Sequence, residues 1–292
     1  ISLFFSLPGV PLFFSISGFL VGLSCIRFRG RWGEYTWHRI LRIFPALWVC
    51  LLISALILIA FDKGDFLISS TGLIWLFGQA TFVQFFNPSE LRDFGVGVLN
   101  GSLWTIPVEL QFYILMPILA SWFTYWTNRL KAIVSILTLT LAVFFSFLMR
   151  ELILDSMIDH QTFLAKLLEV SLAPHMFQFL LGFACLVPLS FFGRRKTIAL
   201  LITTGILSLF CAEFFTDASP LFNAIAFAAL PIGIGLIPAN LLRGFDISYG
   251  LYIFHMPILN LIIASGASGK LLISKYFFAT LLAAVMSWLF IE

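Results

Sequence analysis

Glu109 is a carboxylic acid in the middle of an otherwise apolar stretch of the chain. The pattern predicts a helix that begins near Leu103 and holds Glu109 one or two turns inside it. Pro107 lacks an N–H and leaves a carbonyl upstream without a helical partner, while Gln111 and Tyr113 add polar atoms nearby. A carboxyl in such surroundings can act as a general acid or base toward a hydroxyl. The alternative is a structural glutamate, paired with an arginine or a backbone amide.

A second polar group is predicted late in the chain. Ser248, Tyr252 and His255 follow the spacing i, i+4 and i+7, which places them on one stripe of a helix. Pro257 frees the carbonyl of Ile253 and should bend this helix beside the histidine. A neutral imidazole there could act as a base or hold the hydroxyl of an acceptor. The alternative is a histidine that bonds to a neighbouring helix and clamps the bend.

Two arginines precede the apolar run at 44–61. Arg39 and Arg42 are three residues apart and therefore share one helical face. Two guanidinium groups on one face suit the phosphates of a nucleotide-containing cofactor. The alternative is a basic flank that serves only membrane topology and contact with anionic lipid.

The composition places these residues in a membrane protein. Of 292 residues, 61% are hydrophobic, 11% are charged and 35 are phenylalanine, whereas soluble domains carry about 45–50% apolar and roughly 25% charged residues. A globular chain of this length cannot bury such an excess. This excludes a cytosolic enzyme, a disordered protein and a nucleic-acid-binding protein. The four cysteines have no paired spacing, so we expect neither a disulfide framework nor a metal site.

Ten charge-free runs approach the length of about 20 residues that a spanning helix needs. They are too long for barrel strands, and only helices or closed barrels satisfy the backbone in lipid. The sequence therefore predicts an all-α, polytopic transmembrane helical bundle. The runs cover residues 1–26, 44–61, 66–89, 110–128, 132–149, 170–193, 197–212, 218–242, 247–269 and 276–291.

The run at 66–89 differs from the others because it contains several hydroxyl and amide side chains. If it does not cross the bilayer, three basic clusters fall on one side, which the positive-inside rule makes cytoplasmic. We therefore predict about nine spans and one re-entrant or interfacial segment at 66–89. The clusters are Arg27, Arg29, Arg31, Arg39 and Arg42; Arg129 and Lys131; and Arg194, Arg195 and Lys196.

No repeat or linker interrupts the chain, so we expect a single multi-pass domain over 1–292 in the plasma membrane. Both ends lie in or directly after apolar runs, and we therefore expect a domain truncated at both ends. The predicted topology begins outside the cell and ends inside. A native protein whose N-terminus lies inside the cell would then need one more helix upstream.

Six stretches, in their order along the chain, resemble the acyltransferase-3 family of integral-membrane O-acyltransferases. One stretch alone is weakly specific, but the ordered set is specific and extends over nearly the whole chain. The stretches are 10–20, 39–45, 102–109, 111–113, 179–182 and 247–257.

The resemblance implies transfer of an acyl group, usually acetyl, from cytoplasmic acyl-CoA to a hydroxyl of an extracytoplasmic acceptor such as a cell-surface glycan. It places Arg39 and Arg42 at the donor side, and it makes Glu109 and His255 candidate catalytic residues. The implied partners are acyl-CoA, a carbohydrate acceptor and the lipid bilayer, with no bound cofactor, metal or nucleic acid. Candidate substrate-binding residues are Trp104, Ser248 and Tyr252.

Two features depart from the family pattern. The family's first helix carries an arginine and then a histidine central to acyl transfer, and none of the four histidines here matches that position. His175 stands where the family often has a basic residue. The main alternative function is a transporter or flippase of a sugar-linked lipid, which needs no thioester. A weaker alternative is a non-catalytic scaffold subunit.

Overall fold

The computed structural model describes residues 9–28, 30–125, 129–159, 167–238 and 246–291. Over these ranges all regular elements are helices, which confirms the all-α class. Three short 3-10 helices are Ser89–Leu91, Gly101–Trp104 and Thr216–Ala218. The α-helices are α1 (Gly9–Arg27), α2 (Trp32–Ala60), α3 (Gly64–Ile68), α4 (Ser70–Ala80), α5 (Thr105–Tyr125), α6 (Arg129–Asp159), α7 (Met176–Ala184), α8 (Leu186–Phe214), α9 (Ser219–Gly235), α10 (Ser248–Ala264) and α11 (Gly269–Phe290).

Seven helices in the described part of the chain are long and apolar enough to cross a membrane. They are α1, α2, α6, α8 and α11, together with α5 and α9, each joined to the 3-10 turn before it. Helix α10 is apolar as well, and its 17 residues reach the lower limit of roughly 17 for a span. These helices confirm a multi-pass membrane protein.

The polar run at 66–89 contains no helix long enough to span. Its main helix, α4, has 11 residues and rises about 16 Å, against a hydrocarbon core of roughly 30 Å. The buried amides of Gln79 and Gln84 satisfy the backbone where the helix ends. Gln79 Nε2 donates to the carbonyls of Gln84 (3.2 Å) and Phe86 (3.1 Å), and Gln84 Nε2 donates back to the Gln79 carbonyl (3.3 Å). This arrangement fits the predicted re-entrant or interfacial segment.

The predicted run at 170–193 is divided into two helical pieces rather than forming one continuous span. Helix α7 ends at Ala184, and the chain continues in α8, whose backbone breaks at Gly193 (φ 70°, ψ 172°). This combination of angles is essentially restricted to glycine. The boundary that the sequence predicted between the runs at 170–193 and 197–212 therefore corresponds to the break at Gly193.

Backbone contacts divide the chain into two compact units. The first unit holds residues 1–35 and 108–239, with α1, most of α5, and α6 to α9. The second unit holds residues 36–107 and 240–292, with most of α2, and with α3, α4, α10 and α11. A buried cluster of the second unit is formed by Ile57, Leu58, Leu67, Trp75, Leu91, Phe94 and Leu99.

Within the first unit, the backbones of α1 and α7 touch where they cross. A Cβ atom on Gly18 would lie 2.1 Å from the Phe179 carbonyl oxygen, and one on Gly182 would lie 1.8 Å from the Ser15 carbonyl oxygen. Small residues permit such an approach, which is a common way for membrane helices to pack. Phe14 stacks on Phe179 beside the crossing, with ring centroids 4.6 Å apart.

Replacing Gly18 with alanine should therefore destabilise the protein. The added methyl group would have to separate two backbones, and overpacking of this kind costs about 1–3 kcal/mol. Gly9→Ala is the matched control on the same helix, because a Cβ at Gly9 meets nothing within 4 Å. Thermal unfolding in detergent should show a lower Tm for Gly18→Ala alone, and equal Tm values for both variants would contradict the close crossing.

Candidate active site

Glu109 lies in the second turn of α5, and its side chain is buried, with 6% exposure. Its Oε1 atom accepts a hydrogen bond of 2.8 Å from Ser17 Oγ on α1. The same oxygen accepts a short hydrogen bond from the hydroxyl of Tyr113, one turn further along α5. Two hydroxyl donors therefore converge on one carboxylate oxygen within the first unit.

The polar surroundings of Glu109 differ in part from those predicted. Tyr113 joins the carboxyl as expected, and its backbone carbonyl also accepts a 3.3 Å hydrogen bond from the Tyr35 hydroxyl. Gln111 lies on the exposed side of α5, where its Oε1 accepts from the backbone N–H of Leu172 (3.1 Å). Gln111 therefore anchors the chain before α7.

Ser17 is a site residue that sequence reasoning missed. It belongs to the stretch 10–20 that carries the family resemblance, but its hydroxyl is separated from Glu109 by 92 positions. The available signal was the neighbouring Gly18, whose missing side chain allows α1 to approach its neighbour closely. A serine beside a helix-crossing glycine faces the packed interior, where a hydroxyl needs a partner.

The second predicted group lies in the second unit, where Pro257 lies inside α10 and the Ile253 carbonyl bonds outside the helix. Because Pro257 lacks an N–H, the Ile253 carbonyl has no helical donor. It accepts instead from Asn100 Nδ2 at 2.8 Å and from Cys50 Sγ at 3.1 Å. Asn100 was not singled out from the sequence, although it directly precedes the 3-10 helix of the predicted site segment.

His255 is half-buried on α10, and its Nδ1 atom lies 2.6 Å from the carbonyl oxygen of Tyr252. A carbonyl can only accept, so Nδ1 carries the proton in the neutral ring and Nε2 carries the lone pair. The Tyr252 hydroxyl forms short hydrogen bonds with the Ser102 carbonyl and the Thr105 hydroxyl. His255 is thus held in the tautomer that lets Nε2 accept a proton.

Ser248 does not join Tyr252 and His255. Its backbone N–H and its hydroxyl both bond to Asp246 Oδ1, at 3.1 and 2.5 Å, where α10 begins. The other oxygen of Asp246 forms a 3.0 Å ion pair with Arg42 Nη2. Asp246 is therefore a further residue that the sequence reading missed.

The charge of Asp246 is stabilised by these contacts. Partial burial raises the pKa of its carboxyl, but the hydrogen bond from Ser248 and the charge of Arg42 outweigh burial. The net result is a pKa below the ordinary value for aspartate, so the carboxylate stays ionised at neutral pH. Arg42 keeps 40% of its side chain exposed beside this carboxylate.

The predicted site residues are distributed over both units. Glu109 belongs to the first unit, and the two arginines, Trp104 and the α10 residues belong to the second. Arg39 is half-buried on α2, and Trp104 is half-buried at the end of its 3-10 helix. The second-unit candidates are Arg39, Arg42, Trp104, Ser248, Tyr252 and His255.

Comparison with known proteins identifies the family. A family model described as an acyltransferase domain, acyltransferase 3, matches residues 1–292. The chain is also similar to Nodulation protein 10 of Rhizobium leguminosarum bv. viciae, with 30% identity over 316 aligned positions that cover 99% of this chain and 82% of that protein. No solved structure gives a significant match.

The full-length family match and the helical membrane fold agree with the ordered motifs found in the sequence. They favour an enzyme that transfers acyl groups other than aminoacyl groups over the transporter and scaffold alternatives. The chain belongs to the acyltransferase-3 family of membrane acyltransferases.

Proposed function

We propose that this acyltransferase moves an acyl group, most simply acetyl, from acyl-CoA to a hydroxyl of an extracytoplasmic glycan or similar acceptor in the plasma membrane. The observation that supports the proposal best is the buried carboxyl of Glu109, held by Ser17 and Tyr113 in a membrane-spanning helix. An ionisable group at such a position is costly and is usually functional.

The reaction exchanges a thioester for an oxygen ester. The acceptor oxygen attacks the carbonyl carbon of the acyl group, a C–O bond forms and the C–S bond breaks. The hydroxyl proton must pass to a base, and the departing sulfur takes up a proton to leave as free thiol. Glu109 acts in this scheme as the acid/base or as the group that orients the base.

The hydroxyls of Ser17 and Tyr113 fix the direction of the carboxyl group in this scheme. Both bonds go to Oε1, so rotation of the carboxyl would break two hydrogen bonds at once. A catalytic group that is already oriented loses less freedom at the moment of reaction. Ser17 and Tyr113 are therefore positioning residues for Glu109.

His255 and Tyr252 bind the acceptor or the acyl group in this proposal. The lone pair on Nε2 of His255 can accept a proton or a hydrogen bond from a sugar hydroxyl, because Nδ1 is already committed to the Tyr252 carbonyl. Trp104 supplies a flat apolar face of the kind that packs against sugars and acyl groups. Ser248 contributes to donor binding through Asp246, the partner of Arg42.

Arg39 and Arg42 bind the donor phosphates in this proposal. Arg42 keeps 40% of its side chain exposed, and a guanidinium is well suited to bidentate binding of a phosphate. The ion pair with Asp246 means that a donor phosphate competes with a carboxylate of the protein for the same cation. Asp246 thus weakens donor binding and holds Arg42 in place before the donor arrives.

The exchange of Glu109 for glutamine tests the catalytic role. Glutamine keeps an oxygen that can accept from Ser17 and Tyr113, so the fold should persist while the acid/base function is lost. We expect kcat for release of CoA thiol in the full-length protein to fall by about 10²–10⁴-fold, with membrane insertion unchanged. Glu90→Gln, at an exposed glutamate, is the matched control, and wild-type turnover by Glu109→Gln would overturn the assignment.

Arg42 and Asp246 should affect donor binding in opposite directions. Arg42→Gln removes a cation and should raise KM for acyl-CoA by about tenfold, whereas Asp246→Asn removes the competing anion and should lower it. Arg31→Gln is the control, because that exposed arginine forms its ion pair with Glu34, three residues away, and not with Asp246. A rise in KM for both variants would indicate a purely structural ion pair and would contradict the donor role.

A further inference from the structure

An apolar groove of about 760 Å³ lies within the first unit, between α6, α7, α8 and α9. Fourteen of its fifteen lining residues are hydrocarbon or aromatic side chains, and the remaining one is Thr140. The lining residues include Ile133 and Phe144 on α6, Leu181 on α7, and Phe192 on α8. We refer to this feature as the α6–α9 groove.

The lining of the α6–α9 groove excludes water as a stable occupant. A buried water usually needs two to four polar partners, and the groove offers one hydroxyl group. Several lining side chains are also exposed at the protein surface, with Ile133 60% exposed and Phe192 58% exposed. In a membrane these surfaces contact hydrocarbon, so the natural occupant of the groove is a hydrocarbon chain.

Three basic residues lie in α8 between the lining residues Phe192 and Leu200. Arg194, Arg195 and Lys196 follow the lining residues Phe191 and Phe192 after one intervening glycine, and all three are exposed. We call these three residues the basic cluster. Among the described residues, no salt bridge involves any member of it.

The backbone of α8 gives the basic cluster a defined position relative to the groove. Gly193 separates it from the phenylalanines with a backbone conformation of φ 70° and ψ 172°. Beyond this break, Arg194 Nε donates a 2.6 Å hydrogen bond to the carbonyl of Leu236, at the end of α9. The cluster is thereby tied to two of the four helices that form the groove.

We propose that the α6–α9 groove and the basic cluster form a binding site for a phospholipid with an anionic headgroup. Its chain lies along the apolar walls, and its phosphate lies at Arg194, Arg195 and Lys196. Charge complementarity selects this occupant, because basic pockets between membrane helices bind anionic headgroups. The site goes beyond acyl transfer and does not depend on the roles proposed for Glu109 or Arg42.

Lipid binding to the purified full-length protein tests the site. Phosphatidylglycerol should bind more tightly than phosphatidylcholine in native mass spectrometry and should raise the Tm further. The double variant Arg195→Gln/Lys196→Gln should weaken phosphatidylglycerol binding by about thirtyfold. The matched control, Lys270→Gln/Lys275→Gln, removes two exposed lysines of α11 outside the groove and should bind as wild type.

A second pair of variants tests the apolar part of the site. Thr140→Trp fills the groove and should weaken binding of both phospholipids, whereas Thr138→Trp, at an exposed threonine of α6 that does not line the groove, should not. The Tm of each variant without lipid reports whether it folds.

Three results would overturn the proposal. Equal affinity for phosphatidylglycerol and phosphatidylcholine would show that the basic cluster does not select the headgroup. Equal stabilisation by glycerophosphoglycerol, which has the headgroup but no chains, would show an anion site without a lipid groove. A purified dimer that excludes phosphatidylglycerol would assign the groove to a second copy of the chain.

Discussion

The contact on which the rest of the site depends is the convergence of the Ser17 and Tyr113 hydroxyls on Glu109. In a chain that is 61% hydrophobic, a buried carboxyl without donors would cost several kcal/mol. One donor lies on the same helix, and the other is supplied by α1. Gly18 lets the α1 backbone touch α7 next to that serine. The adjacent residues Ser17 and Gly18 therefore serve both purposes: Gly18 permits the helix crossing, and Ser17 holds the carboxyl.

In the second unit, too, a buried polar group needs a hydrogen-bond donor from the protein. Here that group is a backbone carbonyl and not a carboxyl. Pro257 removes a helical donor, and lipid supplies no water to replace it. Asn100 and Cys50 both donate to the Ile253 carbonyl. The bond from Asn100 ties the segment before the 3-10 helix Gly101–Trp104 to α10. Asn260, about two turns beyond Ile253 on α10, donates to the carbonyls of Val98 and Leu99 at 2.9 Å. Asparagine side chains thus hold the loop that leads to the candidate site.

The sequence alone was sufficient to predict features that depend on residues close together in the chain. Apolar runs predicted the helices, the polarity of 66–89 marked a segment without a spanning helix, and Pro257 identified the freed carbonyl. Partners distant in sequence could not be predicted in this way. Ser17 and Asp246 owe their roles to helices that meet only in the fold. The division of the run at 170–193 was missed because it falls between Ala184 and Leu186, where the sequence stays apolar and hydropathy does not change.

The central claim is that two hydroxyls orient Glu109 for acyl transfer. The most direct test is kcat for acyl transfer by the full-length double variant Ser17→Ala/Tyr113→Phe, which keeps the carboxyl and removes both donors. We predict that kcat falls by at least about tenfold, while KM for acyl-CoA stays the same and the protein remains folded in detergent. A wild-type kcat in a folded double variant would contradict the claim.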